Sequence, residues 1–150
     1  SWIPGHNYRM DELQGAVLNV KLKYLPKWTE MRRQNAALYK KYLIDIPQLR
    51  LPEEHPDVYH VWHLFVVRVE RRNELFQYLK ENQIFSGIHY PVPCHLQKAY
   101  KFLGYHKGQL PVTESYAAEI LSLPFYPELE GAQIIYIVNK IRNFFGVPGI

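Results

Sequence analysis

The side chains best suited to chemistry fall in two short runs. They are Gly5-His6-Asn7-Tyr8-Arg9-Met10-Asp11-Glu12-Leu13-Gln14 and Gly87-Ile88-His89-Tyr90-Pro91-Val92-Pro93-Cys94-His95-Leu96-Gln97. In the first, Gly5 can take a backbone angle closed to other residues, and Asn7 offers both a donor and an acceptor. Such an amide either bonds its own turn or reaches a ligand oxygen, and on residue type alone the turn is the commoner use. Arg9 either grips a phosphate bidentately or ties the turn by donating to carbonyl groups; the turn is the reading we prefer. In the second run, His89 and Tyr90 fall where an extended segment meets two prolines, so their polar ends can reach a ligand oxygen from a backbone that is held still. His95 is a weaker candidate for the same role, because a lone histidine is more often packed or solvent-facing. His60, His63, His89 and His95 lack the short His-x3-His spacing and no acid or cysteine completes a set, so we expect no metal site.

These residues need elements to position them. Asp11 is placed to cap a helix whose apolar positions, Leu13, Ala16, Val17 and Val20, keep helical spacing to about Leu25. Pro26 marks a joint, and Trp28, Met31, Ala36, Leu38, Tyr39, Tyr42 and Leu43 carry a second helix. After Pro47 and Pro52, the span from Val58 to Val69 is β-branched and aromatic on both faces and predicts a covered strand. A short helix is expected from Asn73 to Asn82 behind an asparagine cap, and a second strand from Ile84 to Tyr90, stopped by Pro91 and Pro93. A helix is then expected from Thr113 or Glu114 to Ile120, a short strand over Leu121-Ser122-Leu123 ended by Pro124, and a final amphipathic helix from Ala132 to Phe145. The pattern is α+β: a small mixed or antiparallel sheet covered by helices and preceded by two long ones.

Composition excludes several classes. At 150 residues and 47% hydrophobic the chain buries one core. No apolar run approaches the roughly 20 residues that cross a bilayer, and Ser1-Trp2-Ile3-Pro4 lacks the layout of a signal peptide. The single cysteine, Cys94, forms no internal disulfide and suits a reducing, cytoplasmic setting. The chain begins without methionine, as a piece of a longer protein does. A formal charge of +4 is dispersed in pairs, Arg32-Arg33, Lys40-Lys41 and Arg71-Arg72. Nucleic-acid binding, which needs a continuous basic stripe, is not expected, although a modest positive bias helps to draw in a diphosphate. Twelve tyrosines invite a sugar-stacking reading of Tyr39, Tyr42 and Tyr116, but their helical spacing favours packing.

The opening run resembles the Gly-x-Asn-x-Arg-Met/Leu-Asp-Glu-Leu-Gln signature of the DegT family of pyridoxal-phosphate (PLP) aminotransferases, which act on nucleotide-linked keto sugars. The likeness continues through Ala16–Leu25 with Trp28 and Arg32-Arg33, through His63-Leu64-Phe65-Val66-Val67-Arg68, through the Gly87–Gln97 loop, and through Leu121-Ser122-Leu123-Pro124 with Tyr126-Pro127. These stretches lie in family order and span nearly the whole chain. Gln83 departs from the pattern, standing where a glycine often precedes the isoleucine.

The resemblance implies the C-terminal part of a fold type I enzyme, with residues 1–45 a helical interdomain region and 46–150 a small α/β subdomain. It implies that Asn7 reaches the phosphate of PLP in the partner subunit of a homodimer, and that His89, Tyr90 and His95 bind substrate. The Schiff-base lysine and the aspartate that pairs with the pyridinium nitrogen would lie upstream, so no residue here is assigned as catalytic. A PLP enzyme needs both groups, and the isolated chain is expected to be inactive. The expected parent activity is transfer of an amino group from glutamate to a nucleotide-diphosphate keto-deoxysugar, in amino-sugar, polysaccharide or antibiotic-sugar biosynthesis. The alternatives are a non-enzymatic binding or regulatory module derived from this domain, and a PLP-dependent sugar dehydratase of the same family.

Overall fold

The computed structural model describes residues 10–150. Two helices open it, α1 (Glu12–Leu22) and α2 (Leu25–Leu43). The Asp11 carboxylate accepts from the Gln14 N–H at 2.7 Å, capping α1 as its sequence position predicts. Pro26 stands in the first turn of α2, where its missing N–H costs nothing, so the joint falls at Lys23-Tyr24 just before it.

A three-stranded antiparallel sheet follows, in the order β1 (Leu49–Arg50), β2 (Phe65–Val69), β3 (Ile120–Leu123). Phe65 faces Leu123 and Val67 faces Leu121 across the central pair. With the two-residue period of a strand, Phe65, Val67 and Val69 all point into the core and are buried. Helices α3 (Arg72–Glu81), α4 (Pro111–Glu119) and α5 (Gly131–Phe144) complete the architecture. Two 3-10 turns, Cys94–Leu96 and Lys98–Leu103, lie in the long connection between α3 and α4. The fold is α+β, with helices packed on a small antiparallel sheet, as the sequence pattern implies.

The core joins Tyr39 and Leu43 of α2, Leu75 and Leu79 of α3, the inner face of the sheet, and Ile134, Ile137, Val138 and Ile141 of α5. The Tyr39 and Phe65 rings stack at 5.1 Å between centroids and the Phe65 and Phe125 rings at 5.8 Å. The Tyr39 hydroxyl is satisfied by donating to the Pro124 carbonyl at 3.0 Å. At the far end of the α2–α5 contact, Arg142 forks onto both oxygens of Asp45 at 2.6 and 2.9 Å. It also donates to the carbonyls of Tyr42 and Pro148, which ties the chain's end to α2.

Several expected boundaries change, each for a local reason. The strand expected over Val58–Val69 begins only at Phe65. Trp62 takes a left-handed backbone angle, φ 49°, which interrupts extended structure. The carbonyls before β2 go to side chains instead of a ladder: Arg33 binds His60 O at 2.7 Å, and Arg32 binds Trp62 O and His63 O at 3.2 and 3.1 Å. The strand expected over Ile84–Tyr90 reduces to one antiparallel bridge between Gly87 and Ser122. Helix α3 is preceded by Arg71 rather than capped by Asn73, which falls inside its first turn. Its end is a Schellman turn: the Ile84 N–H reaches Leu79 O at 2.9 Å, the Gln83 N–H reaches Lys80 O at 3.1 Å, and Gln83 itself is left-handed at φ 61°. Such a turn favours glycine, and Gln83 adopts it with its side chain in place. Helix α4 starts earlier than expected, at Pro111, and α5 is opened by a capping box between Glu130 and Gln133.

Candidate functional site

The loop from Gly87 to Gln97 leaves the sheet at the Gly87–Ser122 bridge, where two backbone hydrogen bonds of 2.8 and 2.9 Å fix its start. Two residues on, His89 turns back so that Nδ1 lies 2.9 Å from the Ser122 Oγ. Gly87 makes room for that ring: a Cβ there would meet His89 Cε1 at 2.7 Å. Tyr90 stands beside it, 72% exposed, with the two rings edge to face at 5.6 Å. Pro91 and Pro93 then withhold their N–H groups from any ladder.

His95 is placed differently. It is buried, and its Nε2 lies 3.0 Å from the Glu114 carboxylate, with the Tyr105 ring edge-on at 6.2 Å. Glu114 also accepts from the Gly108 N–H at 2.9 Å on each oxygen and from the Leu110 N–H at 3.3 Å. The Gly108 N–H first, and the His95 side chain after the opposing effect of burial, hold the Glu114 carboxyl below the usual carboxylate range. His95 and Glu114 thus clamp the connection that carries the site loop.

The arrangement puts the imidazole edge of His89 and the phenol of Tyr90 side by side on an open surface. Two grooves among the described residues lie elsewhere. One of about 670 Å³ runs between Phe85, Phe125 and Tyr136, and one of about 1020 Å³ lies over Arg50, Val66 and Arg68 on the outer face of the sheet. His60 is engaged by accepting from the Trp62 N–H at 2.9 Å, and His63 is exposed beside Arg32. Among the described residues no three metal-binding side chains converge. Of the tyrosines, Tyr39 is core and Tyr42 half-buried against it, while Tyr116 stacks under the Arg68 guanidinium at 3.9 Å. Asn7 and Arg9 lie outside the described residues. Sequence reasoning did not single out Ser122 or Glu114, whose partners are 33 and 19 residues away.

The model of the DegT/DnrJ/EryC1/StrS aminotransferase family matches residues 1–142. The chain belongs to this family. It is 44% identical over 143 residues to a protein of Geobacillus stearothermophilus named pleiotropic regulatory protein, covering 94% of this chain and 38% of that relative. It is 43% identical over 140 residues to the dTDP-3-amino-3,4,6-trideoxy-alpha-D-glucose transaminase of Streptomyces venezuelae, covering 93% of this chain and 37% of the relative. The crystal structure of S. venezuelae DesV in complex with a ketimine intermediate superposes with a TM-score of 0.90 at 42% identity, over 95% of this chain and 38% of that one. The chain therefore spans about 38% of the length of the DegT-family relatives it matches.

PLP serves as an electron sink in chemistry of this kind, which asks for an enclosed lysine and an acid at the ring nitrogen. The described residues of the DegT-family chain do not make up that site. None of their lysines is buried, and Asp11, Asp45 and Asp57 are all exposed. Lys40, Lys41 and Lys140 lie against the rings of Trp62, Tyr42 and Tyr136.

Proposed function

We propose that this chain is the C-terminal part of a cytoplasmic, homodimeric PLP-dependent aminotransferase that passes an amino group from glutamate to a nucleotide-linked keto-deoxysugar. Residues 1–45 connect it to the rest of the enzyme and 46–150 form its small domain. The observation that carries the reading is the likeness of 93% of this chain to a named dTDP-sugar transaminase, combined with a loop, bonded to Ser122 through His89, that presents His89 and Tyr90 outward. In this reading Asn7 donates its amide N–H to the phosphate of the partner subunit's cofactor, and His89 and Tyr90 contact the sugar-nucleotide. His95, whose Nε2 is taken by Glu114, serves the same substrate by holding the loop, and any direct contact would use its remaining ring edge.

The test is the full-length protein supplied with PLP, dTDP-3-amino-3,4,6-trideoxy-α-D-glucose and 2-oxoglutarate, the transfer read in reverse as formation of glutamate. Turnover that depends on PLP is expected. Asn7→Ala should weaken retention of PLP by about 1–3 kcal/mol, the cost of a lost hydrogen bond to a charged group, and leave the sugar KM unchanged at saturating cofactor. His89→Ala should raise the sugar KM and leave cofactor retention intact. Wild-type behaviour in both variants returns both residues to structural roles.

A second reading has its own support. The relatives include the pleiotropic regulatory protein and a Saccharopolyspora erythraea protein named for sensory transduction, at 44% and 43% identity. A non-enzymatic regulatory module is favoured if the full-length protein holds PLP but forms no glutamate from any amino sugar offered.

A further inference from the structure

Ser122 is a polar residue buried in the middle of β3, only 3% exposed, with Leu121 and Leu123 on either side. It is bound three times to the segment that carries His89. Its N–H donates to the Gly87 carbonyl at 2.8 Å, its carbonyl accepts from the Gly87 N–H at 2.9 Å, and its Oγ lies 2.9 Å from His89 Nδ1. The absent side chain at Gly87 lets the ring lie in that place, since a Cβ there would come within 2.7 Å of Cε1 and 3.3 Å of Nδ1. Backbone register and side-chain bond thus come from one buried residue of β3.

We propose that Ser122 is a positioning residue that holds His89 as its Nε2–H tautomer, so that the outer edge of the ring is a hydrogen-bond donor for an acceptor oxygen of the sugar-nucleotide. The substrate half of this statement rests on the reading of His89 given above; the tautomer half stands on geometry alone. Counting hydrogens assigns the direction of the bond. A serine hydroxyl carries one hydrogen and a neutral imidazole carries one N–H. Among the described residues the Ser122 hydroxyl has His89 Nδ1 as its one side-chain partner. With the hydrogen on Nδ1, the Ser122 O–H would be a buried donor left unmade, which carries the full cost of its desolvation. With Ser122 donating to Nδ1, one bond satisfies both groups, and the imidazole hydrogen resides on Nε2. Diphosphate and sugar hydroxyl oxygens accept such a donor. The Tyr90 ring, edge to face at 5.6 Å, packs beside the imidazole in this orientation.

The experiment is imidazole ¹⁵N–¹H correlation spectroscopy on the full-length protein without substrate, at mildly alkaline pH, with the His89 signals identified by their loss in His89→Asn. Widely separated nitrogen shifts with the hydrogen on Nε2 are expected. Ser122→Ala should collapse them toward an averaged tautomer mixture, and Ser122→Thr, which keeps the hydroxyl, should restore the separation. In the glutamate-forming assay, Ser122→Ala should raise the KM for dTDP-3-amino-3,4,6-trideoxy-α-D-glucose about 2- to 12-fold, the worth of one net hydrogen bond, with kcat little changed and rescue by Ser122→Thr. A wild-type Nδ1–H tautomer, or a tautomer unaltered by Ser122→Ala, overturns the proposal. A tautomer fixed by Ser122 alongside an unchanged KM in both Ser122→Ala and His89→Ala overturns the substrate role of His89 and upholds the positioning role of Ser122.

Discussion

Helices α1 and α2 adjoin in sequence and share one joint, yet they are stabilised in opposite ways. Helix α2 buries Asn35, Ala36, Tyr39 and Leu43, and its Asn35 amide donates to Tyr126 O at 3.1 Å across 91 residues of sequence. Helix α1 buries none of its residues: Leu13 is 77% exposed and Leu18 53%. An 11-residue helix is marginal in water, so α1 relies on its Asp11 cap and local propensity, whereas α2 is held by the core. The contrast shows that an apolar periodicity written into a helix states what that helix is able to bury, and says nothing about whether this length of chain supplies the partner.

Four measurements break or sharpen that comparison. The largest effect is expected where α2 meets the sheet: Phe65→Ala removes a ring stacked between Tyr39 and Phe125 and should destabilise the chain by about 3–5 kcal/mol in urea unfolding. An effect below the size of a single surface change would show that α2 and the sheet do not share a cooperative core. Next is a local acid response at the site's clamp. Glu114 has a lowered carboxyl pKa in the folded state, so its contribution is fully present above the ordinary glutamate value and is lost as pH falls through the depressed one. Hydrogen exchange at the Gly108 and Leu110 amides should therefore accelerate in that acid window, and Glu114→Gln should abolish the window; an identical profile in the variant refutes the clamp. Smaller still, Gln83→Gly should raise stability by less than about 1 kcal/mol, because glycine relieves the left-handed angle while it also gains freedom in the unfolded chain. A loss of stability instead would mean that the Gln83 side chain contributes more than its backbone angle costs. The smallest effect belongs to α1, where Leu18→Ala should change the stability of this chain by no more than about 0.5 kcal/mol. A cost near that of Phe65→Ala would mean that the helix is covered in solution.

The same division runs through the candidate site. His89 and Tyr90 were legible because two prolines and a glycine frame them, and those residue types restrict a backbone wherever they occur. His95 was legible as a polar side chain but not as a buried one, since its partner Glu114 comes from α4. Ser122 carried no signal as a site residue, because a serine between two leucines reads as the outward position of a short strand. The left-handed Trp62 that cuts β2 short was equally silent: its carbonyl is bound by Arg32 and that of His60 by Arg33, from a helix some thirty residues earlier.

Sequence alone determined the α+β class and the five helices, the cap at Asp11, the joint before Pro26, and the family to which the chain belongs, because each depends on residue types within a few positions of one another or on an ordered set of motifs; it missed β1, which lies between Pro47 and Pro52 where a loop is expected. Only the tertiary structure decided where strands stop, which histidine is buried, and which tyrosines are core. Those outcomes depend on which groups from distant parts of the chain claim a given carbonyl, ring nitrogen or apolar face. A hydrogen-bonding group has few partners: Ser122 takes His89 Nδ1 and Glu114 takes His95 Nε2, and each ring is left with one nitrogen that the residue types alone did not single out.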